Sequence, residues 1–389
     1  MSDLVLVLNA GSSSLKYQVV DPVAGSVATS GRRERIGEPG SPLTDHRAAF
    51  ETVLDSLAAQ GPDLRAEPPL AVGHRVVHGG ARFTAPTVVD EEVVAAIREL
   101  EPLAPLHNPA NLTGILIARE ALPGVPQVAV FDTAFHATIP ASASTYAVPR
   151  EWRERHGVRR YGFHGTSHAH VSQRVSALVG RDDAAVVVLH LGNGASACAV
   201  LGGRSVETSM GLSPLEGLVM GTRSGDLDPA TIGHICRCTG LSVEQVDHAL
   251  QHDSGLEGLT GVNDFRTVQQ RADAGDAAAA QAIAVMVHRL VKYVGAYAAV
   301  MGRLDAIAFT GGIGENAVRL RAVVLDALSL FGFELDAAAN AAAVGGGSEH
   351  RITTPGSRVA GYVVPPGEEL EIARQCMQVL QEVRRDRPA

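Results

Sequence analysis

The sequence predicts an α/β protein built from two copies of one fold. Residues 4–20 have the pattern of a strand, a turn of small residues and an antiparallel return strand. Residues 186–200 repeat that order of strand, Gly/Asn/Ser turn and strand about half a chain later. This spacing indicates a duplicated fold rather than a short-period repeat array. With 389 residues the chain is also too long for one ordinary core, so two domains are expected.

Composition is that of an ordinary folded protein and argues against several other classes. Hydrophobic residues make up 46% of the chain and charged residues 19%. The formal charge of −9 disfavours a nucleic-acid binder, which usually carries a basic face. The four cysteines form no CxxC pair and no signal peptide is evident, so a reducing cytoplasm is expected. The apolar run 283–301 contains three ionisable residues, which favours a buried helix over a membrane span.

The turn at residues 10–14 is suited to a phosphate group and its metal ion. Small side chains would let backbone N–H groups approach a ligand, and Asn9 and Lys16 bracket the turn. An ordinary hairpin accounts for the same residues, since Gly and Ser are common in turns. Lys16 and Lys292 are the only lysines, and although coding bias explains the excess of arginine, Lys16 stands out.

The rest of the first half is predicted to alternate helices and strands. After a polar, turn-rich stretch at 31–42, the pattern predicts a helix over 45–59, strands over 70–80, helices over 90–100 and 108–121, and a buried strand over 125–131. Asp90 and Asn108 are the expected N-caps of their helices. The last strand delivers Asp132 at its carboxyl end, where ligands tend to bind in α/β sheets.

The second half is predicted to begin near residues 147–150 and to follow a similar order. The expected elements are a helix capped by Thr166 or Ser167, the second strand pair, a long polar loop over 207–228, a strand over 305–309, a helix over 317–330, and a strand at 361–364 leading into a last helix to about residue 384. Loops as long as 207–228 tend to be functional or disordered, and its regular glycines and prolines favour function.

The glycine loops permit more than one nucleotide chemistry. The motif GxxxxGK[ST] is absent because no lysine follows a glycine. Gly312, Gly314 and Ala317 after a strand, with Glu334 further on, resemble the dinucleotide fingerprint of oxidoreductases. Glu315 inside that loop would repel a pyrophosphate, and such a site would leave both strand pairs unexplained. A loop that holds the adenosine of a nucleotide fits better.

Several histidines allow a metal-dependent hydrolase as a further alternative. His164, His168 and His170 lie close in sequence, but no acidic ligand occurs at the usual helical spacing. His107, His136 and His168 are as consistent with a structural role as with a catalytic one.

Nine short motifs, in order along nearly the whole chain, resemble the acetate kinase family. They lie at residues 9–16, 73–80, 105–109, 131–136, 161–168, 190–194, 221–226, 312–316 and 368–370. The resemblance implies duplicated actin-like (ribonuclease H-like) domains with an interdomain nucleotide cleft: 1–148, with helix 373–389 packing back on it, and 149–372. It also implies a cytoplasmic homodimer that transfers phosphate from ATP to acetate with Mg²⁺, or Mn²⁺ as an alternative, and binds neither nucleic acid nor membrane.

Matching the family motifs assigns roles to individual positions. The metal ligands would be Asn9 and Glu368; the substrate contacts Arg75, Val77, Leu106, Phe163 and Pro214; the catalytic residues Asp132, His164 and Arg223; and the nucleotide contacts Lys16, His190, Leu191, Gly192, Asn193, Gly194, Asp264, Phe265, Arg266, Gly312, Ile313, Gly314, Glu315 and Asn316. Gly367 departs from the family, which commonly has Asn there. The Ala/Gly-rich run 337–347 also departs and is interpreted as surface variation.

The implied chemistry is consistent with these residue types. A carboxylate acceptor is ionised at neutral pH and needs no general base, so alignment and charge neutralisation matter most. Arg75 would hold the carboxylate and Arg223 the phosphoryl oxygens, and we expect Asp132 to orient an arginine or the metal ion rather than move a proton. Propionate is a close alternative substrate and butyrate a weaker one. A non-catalytic ATP-binding module and a dinucleotide oxidoreductase are the remaining hypotheses.

Overall fold

The structure is a computed structural model that describes residues 3–385. In that range it has twelve strands: β1 (Val5–Ala10), β2 (Ser14–Asp21), β3 (Ser26–Glu34), β4 (Ala71–Val76), β5 (Thr87–Val88), β6 (Gln127–Phe131), β7 (Ala185–Leu191), β8 (Ala195–Leu201), β9 (Arg204–Thr208), β10 (Ala306–Thr310), β11 (His350–Arg351) and β12 (Ala360–Val363). Its α-helices are α1 (His46–Gln60), α2 (Glu91–Glu99), α3 (Asn108–Ala121), α4 (Ala141–Ser144), α5 (Arg150–His156), α6 (Gly165–Val179), α7 (Ala230–Thr239), α8 (Val243–His252), α9 (Gly255–Thr260), α10 (Phe265–Asp273), α11 (Ala277–Met301), α12 (Gly311–Asn316), α13 (Val318–Ala327), α14 (Ala337–Ala342) and α15 (Glu368–Arg385).

The chain divides into two units that share one sheet topology. The first unit comprises the described residues up to 137 together with those from 367 onward, and the second comprises 138–366. The first sheet has the order β3-β2-β1-β4-β6-β5, and the second has β9-β8-β7-β10-β12-β11. In both, the three middle strands are parallel and the outer strands are antiparallel to their neighbours. The duplicated α/β fold predicted from the two strand pairs is therefore confirmed.

The first unit has helices on both faces of its sheet. On β1, Leu6 and Leu8 pack with α1 and α3 in one core cluster. Val5 and Val7 pack on the other face with Ile372 and other residues of α15. Successive strand residues point to opposite faces, so this continuous apolar run is buried between two helical layers. The last helix of the chain thus completes the first unit.

The parallel strands of the first sheet end at one edge, and this edge carries polar residues. Asn9 lies near the end of β1, Arg75 near the end of β4, and Asp132 follows the last residue of β6. The β1–β4–β6 registers are parallel throughout, so the carboxyl ends of the strands lie side by side. Ligands of open α/β sheets bind beyond such ends.

The long helix α11 belongs to the core of the second unit. By length and composition alone it could cross a membrane. One of its faces is buried, including Met286, Leu290 and Val294. On another face, Arg289 donates to the carbonyl of Gly217 at 2.8 Å and pairs with Asp226 at 3.3 Å. The helix is thereby fixed to the long polar loop.

Three local features differ from the sequence prediction. Strand β3 extends into the stretch predicted to be turn-rich, because it pairs with β2. Its residues are largely exposed, so their sequence pattern does not predict this pairing. Asn108 is not an N-cap, because it is already part of α3. Its side chain accepts from the N–H of His78 and donates to the His78 carbonyl. Helix α6 begins after His164 rather than after Thr166 or Ser167, and both of these are buried.

We predict a pH-dependent contribution to stability from His74 on β4. Its Nε2 lies 2.7 Å from Gln127 Oε1, and burial lowers the pKa of His74 from 6.5 to about 4, opposed by that hydrogen bond. Between these values the unfolded chain binds more protons, so the free energy of unfolding falls as the pH drops from 6.5 to about 4. The expected loss is about 3 kcal/mol. Denaturant unfolding measured across that window should show a smaller drop in His74→Leu; an equal drop would contradict the assignment.

Candidate active site

Arg75 and Asp132 form a bidentate ion pair at the edge of the first sheet. Arg75 Nε donates to Asp132 Oδ1 at 2.9 Å, and Nη2 donates to Oδ2 at 2.8 Å. The Asp132 side chain is only 2% exposed, whereas that of Arg75 is 19% exposed. Two parallel hydrogen bonds fix the plane of a guanidinium far better than a single bond. Asp132 therefore holds Arg75 in one orientation and leaves part of it accessible.

A second carboxylate keeps Arg75 charged and in place. Arg75 Nη1 lies 3.8 Å from Glu368 Oε2. Burial by itself would lower the pKa of Arg75, but the charges of Asp132 and Glu368 outweigh it and the net pKa is raised. The guanidinium is thus a permanent cation, with Nη1 directed toward the start of α15.

Asn9, Lys16, Glu368 and Glu369 line one small cavity together with Arg75. Burial raises the pKa of Glu369, as does neighbouring Glu368, while Arg75 and Lys16 act in the opposite direction. The described residues contain no cluster of three His, Cys, Asp or Glu that could hold a metal by itself. One amide oxygen and one or two carboxylates do suit Mg²⁺, which usually keeps waters and binds phosphates as well. The residue set therefore fits a magnesium–nucleotide site.

The turn after β1 is held from two sides. Gly11 N–H donates to the Ser14 carbonyl at 2.8 Å within the turn. Asn111 on α3 donates to the Ala10 carbonyl at 2.7 Å, and its Oδ1 accepts from the N–H of Val77. Asn111 thereby joins the turn to the end of β4. Asn111 has no sequence motif of its own, because it is a buried amide inside a helix, and Glu369 is visible in the sequence only as the neighbour of Glu368.

In the second unit, His164 adopts an unusual backbone conformation. It precedes α6 with φ of 57°, in the left-handed region that non-glycine residues rarely occupy. Its ring stacks on that of His190 at the end of β7, with centroids 4.2 Å apart. Ser167 Oγ lies 2.8 Å from His190 Nδ1. The backbone and the neighbouring rings thus hold the imidazole of His164 in one place.

Arg223 lies beside His164 without an acidic partner. A side-chain carbon built on Gly194 would be 3.4 Å from Arg223 Nη1 and 3.7 Å from His164 Nε2, so all three groups meet at this glycine. In the described part of the chain Arg223 makes no ion pair; its Nη1 donates to the Pro214 carbonyl at 3.2 Å, and burial lowers its pKa. An uncompensated, half-buried cation next to an imidazole is suited to a phosphoryl anion.

The loop that carries Arg223 is irregular but well anchored. Gly221 N–H donates to the Asn193 carbonyl at 2.8 Å, which ties the loop to the turn after β7. Gly255, with φ of 62°, passes so close to the carbonyls of Met220 and Arg223 that any larger residue would clash. These contacts anchor the loop, and the functional role predicted for residues 207–228 stays a prediction.

Three predicted nucleotide segments meet at one cavity of about 840 Å³ in the second unit. The lining residues are Gly192, Asn193, Asn263, Asp264, Phe265, Arg266, Gln269, Gln270, Gly312, Ile313, Asn316 and Ala317. Asp264 caps α10 by accepting from the N–H of Arg266, and burial raises the pKa of Glu315 nearby in sequence. His190, Leu191, Gly194, Gly314 and Glu315 lie in the same segments without lining the cavity.

Arg321 supports the glycine segment of this cavity from inside the protein. It is fully buried, and its guanidinium donates to the carbonyls of Gly314 and Glu315 at 2.9 and 2.7 Å. It also donates to Asn340 Oδ1 and to the carbonyls of Asn340 and Ala343. Burial lowers the pKa of Arg321 to about 10. Part of the Ala/Gly-rich run 337–347, interpreted above as surface variation, is thus a buried support.

For ATP and acetate, the substrates that the sequence resemblance implies, we predict that Arg321→Met raises the KM for ATP about tenfold or more and leaves the KM for acetate within about twofold, because the glycine segment loses its support. Loss of the buried hydrogen bonds should also lower the free energy of unfolding, because each buried carbonyl left without a donor costs about 1–3 kcal/mol. Arg319→Met, at an exposed position on the same helix, is the matched control. Parallel changes in both KM values would show a general folding defect instead.

The proposed substrate-pocket residues are distributed over both units. Val77 is half-buried and Leu106 is 51% exposed in the first unit. Phe163 is buried and Pro214 half-buried in the second. Val77 lies two positions after Arg75, and Phe163 directly precedes His164.

Comparison with known proteins identifies close relatives over nearly the whole chain. The sequence profile described as the Acetokinase family matches residues 4–374. An acetate kinase of Streptomyces avermitilis is 54% identical over 391 residues, covering 95% of this chain and 96% of that protein. One of Clavibacter michiganensis is 53% identical, covering 96% and 98%.

Solved structures agree with the sequence relatives. An acetate kinase of Porphyromonas gingivalis has a TM-score of 0.92 at 40% identity, covering 98% of this chain and all of that one. A propionate kinase of Francisella tularensis has a TM-score of 0.90 at the same identity, covering 96% and 99%. Both likenesses extend through both units.

Proposed function

The chain belongs to the acetokinase family, and on that premise we propose that it is an acetate kinase. It transfers the γ-phosphoryl group of ATP reversibly to acetate, giving acetyl phosphate and ADP. The observation that carries this proposal is the contrast between two arginines. Arg75 is held in a bidentate carboxylate pair, whereas Arg223 lies beside His164 without an acidic partner.

Arg75 is proposed to bind the carboxylate of acetate. Its Nε and Nη2 are engaged by Asp132, whereas Nη1 lies 3.8 Å from Glu368 Oε2, beyond hydrogen-bonding distance, and can meet an incoming carboxylate. Acetate is already ionised at neutral pH, so no proton has to be removed before it attacks phosphorus. The alignment of Arg75 by Asp132 supports an orienting role for Asp132 rather than that of a base.

Arg223 and His164 are proposed to stabilise the phosphoryl group during transfer. Charge on that group spreads over its three equatorial oxygens, while the attacking and leaving oxygens lie in line. A fixed guanidinium and an imidazole N–H place positive charge where it is needed without reorganisation. Lys16 is proposed to neutralise part of the remaining phosphate charge.

Asn9 and Glu368 are proposed to hold Mg²⁺, with Mn²⁺ as an alternative. The amide and carboxylate oxygens that line the small cavity of the first unit support this set. When bound, the ion would neutralise charge on the nucleotide phosphates. Glu369 is a further candidate for orienting its waters. Gly367 precedes this pair with φ of 53°, a conformation that Asn also tolerates.

The cavity lined by Asp264–Arg266 and by Gly312, Ile313 and Asn316 is proposed to hold the adenosine of ATP. Its volume of about 840 Å³ suffices for a nucleoside, and its lining combines apolar with hydrogen-bonding groups. Family membership also leads us to propose a cytoplasmic homodimer without nucleic-acid or membrane partners. Light scattering of the purified protein would test the dimer.

Propionate is the second candidate acceptor, favoured by the Francisella propionate kinase at equal identity. One methylene in an apolar pocket changes transition-state binding by only about 1–3 kcal/mol. Formation of acyl phosphate from ATP, Mg²⁺ and either acetate, propionate or butyrate gives kcat/KM for each. We expect acetate to be preferred. A preference for propionate would replace the assignment, and absence of any acyl phosphate would favour a non-catalytic ATP-binding module.

A further inference from the structure

Ser196 connects two histidine rings in the second unit. Its Oγ lies 2.9 Å from His164 Nδ1 and 2.7 Å from His168 Nε2. Ser196 is on β8 and His168 on α6, and both are fully buried. Neither residue belongs to the set proposed to contact substrates. Ser196 contacts the ring of His164, and the ring of His168 also lies edge-on to that of His190, with centroids 6.3 Å apart.

The single hydroxyl proton of Ser196 constrains the protonation of both rings. If Ser196 donates to His164 Nδ1, neutral His164 must carry its proton on Nε2, and His168 Nε2–H can then donate to Ser196. If Ser196 donates to His168, then His164 Nδ1 must carry a proton. In its neutral form His164 would then present a bare Nε2 lone pair. The tautomers of His164 and His168 are therefore coupled.

The edge of His164 that carries Nε2 lies next to Arg223. Its Nε2 and Arg223 Nη1 both lie near the space that a side chain at Gly194 would fill. A bare lone pair at Nε2 would repel a phosphoryl oxygen, whereas an N–H would donate to it. The stack on His190 and the left-handed backbone of His164 restrict a change of ring position. The tautomer of His164 is therefore set by the hydrogen bonds through Ser196.

We propose that Ser196 and His168 are positioning residues that fix His164 with its proton on Nε2, directed at the phosphoryl group. This inference rests on the proposed function for the role of His164, while the tautomer itself can be measured without turnover. The order of donation is His168 Nε2–H to Ser196 Oγ, and Ser196 Oγ–H to His164 Nδ1. Loss of an outer hydrogen-bond partner of a metal-bound histidine costs about 10- to 100-fold, and we expect an effect in that range here.

A double-mutant cycle tests whether Ser196 acts through His164. Ser196→Ala is expected to lower kcat by about 10- to 100-fold while the KM values for ATP and acetate change by less than about twofold. In a His164→Asn background, which keeps a residue that tolerates the left-handed region, Ser196→Ala should have almost no further effect. Ser172→Ala removes another buried hydroxyl, one that donates to the Ala169 carbonyl, and should leave kcat unchanged.

Nitrogen NMR on ¹⁵N-histidine-labelled protein gives the second, activity-independent readout. The His164 signals, identified by their loss in His164→Asn, should show the Nε2–H form in the wild type with ADP, Mg²⁺ and inorganic phosphate. Ser196→Ala and His168→Phe should both shift them toward a tautomer mixture, whereas His168→Gln, which restores an N–H near the Nε2 position, should retain the wild-type signals.

Three results would overturn the proposal. They are an Nδ1–H form of His164 in the wild type, an unchanged spectrum in Ser196→Ala, or a Ser196→Ala loss of kcat that persists in full in the His164→Asn background. If the wild type forms no acyl phosphate, the proposed function fails; the NMR result still decides the tautomer separately.

Discussion

Replacing Arg223 with methionine is expected to lower kcat by about 10³- to 10⁵-fold, with little change in the KM for acetate. Arg223 is the cation of the second unit that lies beside His164 without a carboxylate, so its charge is available to an anion. A charge that is needed mainly in the transition state affects kcat and kcat/KM equally. Arg223→Lys should recover only part of the rate, because an ammonium cannot reproduce the planar fork.

The same substitution should not destabilise the protein. Burial lowers the pKa of Arg223, which means that the folded state bears a cost for holding this charge without a partner. Methionine of similar length removes that cost, so the melting temperature of Arg223→Met should equal or exceed that of the wild type. Arg237→Met, an exposed position on α7, is the control for both readouts. Retained activity in Arg223→Met, or a large fall in melting temperature, would contradict this account.

The sequence predicted the parts of the fold that leave a local pattern. The strand–turn–strand runs at β1–β2 and β7–β8 consist of buried residues flanking small ones, and their repetition correctly indicated duplication. The acidic first turn of α2 after Asp90 likewise marked a helix start, and the Asp90 side chain does accept from the N–H of Val93. These features depend on neighbours within a few positions, so a single sequence records them.

The features that the sequence did not reveal depend on distant partners. Strand β3 forms because β2 offers it a hydrogen-bonding edge, and its own residues are largely exposed. Arg321 looks like one more surface arginine until Asn340 and Ala343 are placed around it. His164 occupies the N-cap position of α6 in the left-handed conformation, whereas the local sequence favours Thr166 or Ser167 as the cap. Such long-range contacts are determined by packing rather than by local propensity.

Asp132→Asn is expected to retain far more activity than Asp132→Ala. Asparagine keeps one acceptor for the Arg75 guanidinium, so the orientation is partly preserved and the loss in kcat/KM should be about tenfold. Alanine removes both acceptors, and Arg75 Nη1 already lies 3.8 Å from Glu368, so the guanidinium should turn toward that carboxylate. Arg75 would then leave its proposed position against acetate and Glu368 would be drawn from the proposed metal site, with an expected loss of about 10³-fold or more in kcat/KM.

The pH profile separates orientation from proton transfer. If Asp132 only aligns Arg75, the pH dependence of kcat in Asp132→Asn should parallel that of the wild type, because acetate has no proton to give up. The KM for acetate should rise in both variants, more strongly in Asp132→Ala. Equal losses in the two variants would instead assign the effect to the charge of Asp132 or to its proton. In that case the bidentate pair at 2.8 and 2.9 Å would serve to tune the Asp132 carboxylate, rather than to orient Arg75.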